Sequence, residues 1–297
     1  MTKGRVLVTG ASGFTGRYIC RQLEVTGYEV FGLTIDGSIN SPTVRLSQAE
    51  EVSQIVRRIS PQFVIHLAAV AYVGHENPSN FYTTNVIGTL NLLRALEASH
   101  FKPDLVIIAS SANIYGNLYQ KVHIKETFLP HPINDYALSK WMMEGLVQLW
   151  KKRLPITIVR PFNYTGVGQS ENFVVPKIVS AFKKHKNQII LGNLNISRDF
   201  SDVRDVARWY VELVEQRSVG EVVNFCSGRL ISLKEIIQSC EKITNRSISI
   251  VSTSELKRKN DLVSLCGSPD KLKLILKDAG KPRYNLNQTL VWMLSEG

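Results

Sequence analysis

The feature that most constrains this chain is a glycine-spaced turn near its start. An apolar run at 5–9 leads into Thr9-Gly10-Ala11-Ser12-Gly13-Phe14-Thr15-Gly16, and a helical pattern follows directly. Glycines at 10, 13 and 16, set between a strand and a helix, permit a tight turn, close approach of bare backbone to a ligand, and close packing of helix on strand. A helix starting near Phe14 turns its free N–H groups and positive dipole end toward the same spot, which suits a pyrophosphate. The plainer alternative is a structural turn that holds nothing.

The rest of the chain extends the strand–helix alternation. Strand candidates at 5–9, 29–33, 63–67, 104–109 and 156–160 are continuously apolar rather than alternating, as strands covered on both faces must be. Helical stretches lie between them at 16–25, 50–59, 83–99 and 136–152. This order predicts an α/β fold with a doubly wound parallel sheet, a dinucleotide-binding Rossmann arrangement. Past Pro161 the character changes, and 161–202 is loop-rich with one clear helix at 176–184. A helix at 204–215 and a strand at 221–225 lead back to the sheet, and helices near 233–244, 271–277 and 287–295 close the chain. We expect a dinucleotide-binding lobe from 1–160 plus 203–228 and a smaller α/β substrate lobe from 161–202 plus 229–297.

Composition removes several classes of function. The 297 residues are 44% hydrophobic, enough for a sizeable core, so disorder is excluded as the main state. No apolar run approaches the roughly 20 residues of a membrane span. The first residues lack the apolar segment of a secretory signal. Cys20, Cys226, Cys240 and Cys266 are scattered without CxxC spacing, which argues against a disulfide framework or a metal site and for a cytoplasmic setting. The net charge of +11 favours anionic partners, phosphorylated small molecules among them. The Lys/Arg runs at 151–153, 183–186 and 257–259 are short, and the first two read as solvated helix ends. No pattern of a nucleic-acid-binding module accompanies them, so neither nucleic acid nor a membrane is an expected partner.

Cofactor preference rests on the end of the second strand, Phe31-Gly32-Leu33-Thr34-Ile35-Asp36. An acid there would hold a ribose 2′-hydroxyl and select NAD. The position falls on Thr34, with Asp36 two residues late and no arginine directly after Thr34. A solvated loop explains both Asp36 and Arg45. Both NADH and NADPH are therefore expected to serve.

Catalytic chemistry points to Tyr136-Ala137-Leu138-Ser139-Lys140. Tyr136 and Lys140, at i and i+4, share one helix face. An ammonium beside the phenol is expected to lower its pKa from about 10 and make it a usable acid or base. Tyr-x-x-x-Lys alone recurs by chance, and by itself reads as an ordinary amphipathic helix. Ser110-Ser111, at the carboxyl end of the fourth strand, adds a hydroxyl where α/β active sites form. The conjunction of glycine turn, strand-end serine and Tyr-x-x-x-Lys carries the assignment. His66, at the end of a buried strand, reads as a packed core residue.

Together these pieces resemble the extended short-chain dehydrogenase/reductases that act on nucleotide sugars. The resemblance is carried by Thr9 to Gly16, His66-Leu67-Ala68-Ala69, Asn85-Val86-Ile87-Gly88-Thr89, Ser110 to Gly116, Tyr136 to Lys140, Arg160-Pro161-Phe162-Asn163, Arg198-Asp199-Phe200 and Arg258, and covers essentially the whole chain. Within the family, the stretches at 161–169 and 191–200 look most like the GDP-4-keto-6-deoxy-D-mannose 4-reductases, and 173–182 looks like their deoxytalose-forming group.

The resemblance implies that Gly10, Ser12, Gly13, Phe14, Thr15, Gly16, Thr34, Leu67, Ala68 and Ala69 contact NADPH or NADH, together with Tyr136 and Lys140. It further implies that Tyr136 protonates the sugar C4 oxygen, that Lys140 binds the nicotinamide ribose, and that Ser111 positions the same oxygen. Asn163 would approach the substrate diphosphate, and Arg198 and Arg258 the nucleotide end. A loop cap for Asn163 and a surface ion pair for each arginine are the plainer readings. The related 4,6-dehydratases carry an acid where this chain has Asn113. An amide does not ionise near neutral pH, so Asn113 is not expected to act as a base and dehydration is not expected; the resemblance implies instead that Asn113 contacts the substrate.

A nucleotide-sugar 4-epimerase with tightly held NAD, and a non-catalytic NAD(P)-sensing protein, remain as alternatives. Guanine and thymine both stay open for the substrate base, as do 6-deoxy-D-talose and D-rhamnose for the product. Relatives pair through helices corresponding to 83–99 and 136–152, and the second carries Trp141, Met142, Leu146, Leu149 and Trp150. A homodimer through a four-helix bundle is expected, against the alternative that both stripes are internal core.

Overall fold

The structure, a computed structural model, describes residues 2–34, 42–73, 77–117, 122–253 and 264–296. The first half alternates strand and helix: β1 (Arg5–Thr9), α1 (Phe14–Thr26), β2 (Glu29–Leu33), α2 (Ala49–Ile59), β3 (Phe63–His66), then α3 (Ser79–Phe81), a π-helical stretch (Tyr82–Ile87) and α4 (Gly88–Ala98). It continues with β4 (Leu105–Ala109), a short 3₁₀ turn (Ala112–Tyr115), α5 (Asp135–Gln148) and β5 (Ile156–Pro161). The second half runs β6 (Asn163–Thr165), α6 (Val174–Lys183), β7 (Gln188–Leu191), β8 (Ser197–Asp202), α7 (Val203–Glu215), β9 (Val222–Phe225), β10 (Leu230–Ser232), α8 (Leu233–Thr244), β11 (Ser249–Ser252), β12 (Ser264–Leu265), α9 (Asp270–Leu276) and α10 (Leu286–Ser295).

Among the described residues, β2-β1-β3-β4-β5-β9 form a six-stranded sheet, parallel throughout. The continuous apolar strands follow from burial on both faces. In β1, Val6 and Val8 face α1 and α7, where Ile19, Leu23, Trp209 and Leu213 pack. Leu7 faces the other way, toward Val52, Val56, Leu92 and Leu96 of α2 and α4 and Met143 and Val147 of α5. Each such side chain contributes about 1.5–3 kcal/mol by leaving water, so the two faces together hold the sheet between its helices. After β1 the chain first adds β2 on one side and then crosses to β3 on the other. That reversal opens a crevice at the carboxyl ends of β1 and β3, where this class of sheet binds its ligands.

Three features depart from the sequence pattern. The loop-rich stretch 161–202 contains β6, β7 and β8, strands of three to six residues whose partners are mostly distant in sequence: β8 pairs with β6, β10 and β12, and β7 with β11. These strands, with α6, α8 and α10, surround a second core of Ile178, Phe182, Leu233, Ile236, Ile237 and Leu290. The helix expected at 83–99 begins with a π-helical stretch, where the buried Asn85 carboxamide accepts from the Val70 N–H at 2.9 Å and donates to Ser139 Oγ at 3.0 Å. Finally, α9 was assigned by its position to the smaller lobe. Its Leu272 and Leu276 instead join the core under the six-stranded sheet, beside Trp209 and Phe225.

The basic run at 183–186 sits at the end of α6, where Lys183 Nζ donates to the Glu296 carbonyl at 2.6 Å and Lys184 pairs with Glu171 at 2.7 Å. Among the described residues no helix is long and apolar enough to cross a membrane.

Candidate active site

The glycine turn leaves the end of β1 bare. Gly10 has φ +72, and a side chain there would come within 3.0 Å of the Ala68 backbone. A Cβ on Gly16 would collide with the Gly10 carbonyl and stand 2.7 Å from the Ala11 carbonyl, so α1 can lie against the turn only with glycine at 16. Gly13 is the N-cap of α1 and offers no side chain to satisfy the first N–H groups. Those donors and the helix dipole remain available to an anion beside Ser12, Phe14 and Thr15. On the other side of the crevice, Leu67 N–H donates to the Thr9 carbonyl and Ala68 N–H to Thr9 Oγ1, which seats the Leu67-Ala68-Ala69 segment against the turn. Thr34, at the end of β2, is 3% exposed, and its hydroxyl has no hydrogen-bond partner among the described residues. This cradle and the unpaired hydroxyl fit a dinucleotide. Asp36 and Arg258 lie outside the described residues.

Ser111, Tyr136 and Lys140 come together at the carboxyl edge of β4. Ser111 caps the 3₁₀ turn, its Oγ accepting from the Asn113 N–H at 3.2 Å, and hydrogen-bonds the Tyr136 phenol. Asn134 caps α5 and fixes where Tyr136 enters the cleft. Lys140 is 3% exposed, and its Nζ donates to the Ala109 carbonyl at 2.7 Å. The expected lowering of the tyrosine pKa by Lys140 is not what the structure shows. Burial pushes the Tyr136 phenol up to about 12, against the pull of Ser111, and Tyr164 adds to the rise. The i+4 spacing puts the lysine on the tyrosine's face, but its ammonium is spent on the β4 carbonyl. Burial also lowers Lys140, to about 8, with Glu144 opposing.

Asn113 and Asn163 share a small cleft with Ser111, Pro161, Phe162 and Leu265. Arg198 stands one strand away, in register with Leu265, and its Nη1 donates to the Ser197 carbonyl at 3.0 Å. His66 forms the floor of the crevice. Its ring nitrogens meet Thr9 Oγ1 at 2.7 Å and Thr89 Oγ1 at 2.9 Å, and burial, reinforced by Lys140, holds its pKa down at about 3. It is a neutral core residue, as read from the sequence.

Two supports escaped sequence reasoning. Glu144 follows Lys140 by one helical turn and binds Arg160 through both oxygens, at 3.0 and 2.7 Å. Arg160 also donates to Tyr115 Oη at 2.8 Å, and Tyr115 in turn to Asn224. An acid on the buried stripe Tyr136–Lys140–Glu144 was the signal that marked it. Asp199 is fully buried and accepts from the backbone of Ser227 and Gly228 at 2.8 Å each, joining the loops behind the cleft. Nothing in its sequence surroundings announced that role.

Residues 6–226 match the model of the NAD dependent epimerase/dehydratase family. The chain is 37% identical to a GDP-6-deoxy-D-talose 4-dehydrogenase of Aggregatibacter actinomycetemcomitans, covering 92% of this chain and 91% of that one. It is 30% identical to a GDP-6-deoxy-D-mannose reductase of Pseudomonas aeruginosa, covering 98% and 96%. The structure of RMD from Pseudomonas aeruginosa complexed with NADPH superposes with a TM-score of 0.86 at 30% identity, over 99% of this chain and 97% of that one.

The depressed pKa of His66 has a measurable consequence. Unfolded, the imidazole titrates near 6.5; folded, near 3. Between these values the unfolded chain binds the extra proton, so stability is lost as pH falls through this window and regained above about 6.5. From pH 6 to 4.5 this one group costs about 2 kcal/mol. In urea unfolding across that range, His66→Asn should flatten the pH slope by about one proton. An unchanged slope would show that His66 is not the group.

Proposed function

The chain belongs to the NAD dependent epimerase/dehydratase family, and from that premise we propose that it is an NAD(P)H-dependent 4-ketoreductase. Its substrate is a nucleotide 4-keto-6-deoxyhexose, GDP-4-keto-6-deoxy-D-mannose by preference, and its product the 6-deoxy-D-talose or D-rhamnose nucleotide. The observation that carries this reading is a phenol kept protonated. Tyr136, its phenol pushed up to about 12 by burial, meets Ser111 at the sheet edge, and Ser111 lines a cleft whose other polar side chains are the amides of Asn113 and Asn163. The 37% identity to a GDP-6-deoxy-D-talose 4-dehydrogenase and the likeness to an NADPH complex support it.

Gly10, Ser12, Gly13, Phe14, Thr15 and Gly16 would hold the dinucleotide pyrophosphate. Thr34 would lie near the adenosine ribose, and Leu67, Ala68 and Ala69 along the opposite wall. When bound, NADPH or NADH supplies the hydride. Lys140 orients the nicotinamide ribose from its fixed place on the Ala109 carbonyl. Ser111 Oγ donates a hydrogen bond to the C4 oxygen and holds it before Tyr136. As charge develops on that oxygen, Tyr136 Oη gives it the proton. The phenol is protonated at neutral pH and so carries the proton this step needs. Asn113 would contact the sugar, Asn163 the diphosphate, and Arg198 and Arg258 the nucleotide end. The sheet lobe thus serves the dinucleotide and the second core the nucleotide sugar, in a cytoplasmic enzyme.

GDP-mannose alone should give no 4-keto product. Supplied with the product of a 4,6-dehydratase, the enzyme should consume one NADPH or NADH per 6-deoxyhexose formed, followed by absorbance and by NMR of the product. Formation of a 4-keto sugar from GDP-mannose, or stoichiometric NAD retained on the purified protein, would defeat the reductase reading.

Tyr136→Phe should lower kcat by roughly 10²–10⁴-fold, the ordinary contribution of a general acid, with cofactor affinity little changed. Reduction should be flat below pH 8 and fall above it, because Lys140 with a pKa of about 8 then loses its ammonium while Tyr136 is still protonated. The residual activity of Tyr136→Phe should keep the same alkaline limb. A limb that disappears with the phenol would assign it to Tyr136.

We also propose a homodimer through α4 and α5. Leu138, Trp141 and Met142 on α5, Leu149 at its carboxyl end and Ile87 beside α4 are exposed, Leu149 at 65%, and Gly145 has open space above it. Trp150, expected in this stripe, instead packs in the chain's own core. Two helices from each of two chains would cover the exposed stripe as a four-helix bundle. Light scattering at micromolar concentration should show a dimer, and Trp141→Glu a monomer. A monomeric wild type would reject the interface.

A further inference from the structure

The first turns of α1 grip a short strap, residues 164–168, that follows Asn163. Thr15 Oγ1 and Tyr164 Oη lie 2.7 Å apart, and the Phe14 ring stacks on the Tyr164 ring at 6.1 Å and 11°. Tyr18 Oη donates to the Val167 carbonyl at 2.7 Å, and Arg17 Nη2 to the Gly168 carbonyl at 3.2 Å. Gln169 closes the strap on itself by donating to the Tyr164 carbonyl at 3.2 Å and accepting from Thr165 Oγ1 at 2.8 Å. Tyr164 packs against the sheet core and Val167 against the second core, so the strap spans the two.

The two ends of this connection carry different chemistry. Phe14 and Thr15 belong to the turn that faces a dinucleotide pyrophosphate. Asn163, the residue before the strap, faces the cleft with Ser111. The Tyr164 phenol also lies close enough to Tyr136 to act on its titration. A ligand on the turn therefore holds one end of the strap and a ligand at Asn163 the other.

We propose that Tyr164 and Tyr18 are positioning residues that couple the two sites, so that dinucleotide and nucleotide sugar each tighten the binding of the other. This rests on the cofactor and substrate positions of the ketoreductase reading. The physical basis is that both ligands bear on one continuous bonded segment, so the position the first ligand gives it is the position the second one meets. The coupling is reciprocal by necessity, with one factor serving both directions. If the contacts only cement the lobes, losing them weakens both ligands alike and leaves that factor unchanged.

The test measures the dissociation constant of NADPH by fluorescence, without and with saturating GDP, and that of GDP without and with NADPH; dTDP is run in parallel. The wild type should show coupling of about fivefold or more, equal in both directions. Tyr164→Phe keeps the ring stack on Phe14 and removes only the bond to Thr15, and should bring the factor below twofold while each ligand still binds alone. Thr15→Val, which also alters the dinucleotide turn and should weaken NADPH by itself, should lower the coupling factor to the same level, with no further loss of coupling in the double variant. Tyr18→Phe should move the factor in the same direction. Amide exchange over residues 163–169 should slow with NADPH alone. A wild-type factor of one, a factor preserved in Tyr164→Phe and Thr15→Val, or strap exchange indifferent to NADPH would each overturn the coupling. Failure of the wild type to bind NADPH at all, or to bind either nucleoside diphosphate, would overturn the underlying site assignments instead.

Discussion

Helix α1 lies so close to the end of β1 that position 16 has no room for a side chain beside the Gly10 and Ala11 carbonyls. That contact sets the height of α1 on the sheet. It directs the helix N-terminus into the crevice left by the crossing from β2 to β3, and it leaves Gly13 as a cap without a side chain. The same placement brings Thr15 and Tyr18 within hydrogen-bonding reach of Tyr164 and Val167. The phosphate turn, the crevice and the joint to the second core thus share one steric cause.

The chemistry at the crevice depends on burial more than on charge pairing. Tyr136, Lys140 and His66 all lie out of water, and each is displaced toward its neutral form. For Tyr136 that form carries the proton that a reduction consumes. For His66 it is the uncharged ring that can sit between two threonine hydroxyls. Lys140 is the exception in effect, because Glu144 opposes its loss of charge and the Ala109 carbonyl receives its ammonium. Beneath it, the Glu144–Arg160 pair is saturated by Tyr115 and the Glu126 carbonyl, the condition under which a buried ion pair holds geometry without leaving an unmet charge.

The second core is assembled through short strands. Strand β8 gathers β6, β10 and β12, and brings Arg198 into register with Leu265 at the wall of the cleft. Asp199, one residue on, ties the loops at 227–228 and 267 through their backbone N–H groups. The placement of these loops hangs on one buried carboxylate rather than on regular secondary structure.

The sequence by itself determined the sheet strands β1 to β5, the helices around them, the glycine turn and the Ser111, Tyr136 and Lys140 set. Long apolar runs and fixed i, i+4 spacings are local signals, and they survive folding unchanged. Only the tertiary structure decided the strands of 161–202, which are too short to show a period and exist because distant partners pair with them. It likewise returned α9 to the first core, turned Trp150 inward and set Tyr164 and its neighbours between the two cores. The tyrosine's titration belongs to the same class. Helical spacing shows which face Lys140 shares with Tyr136, but the direction of the pKa shift depends on how much water the folded chain removes and on which carbonyl the ammonium reaches first.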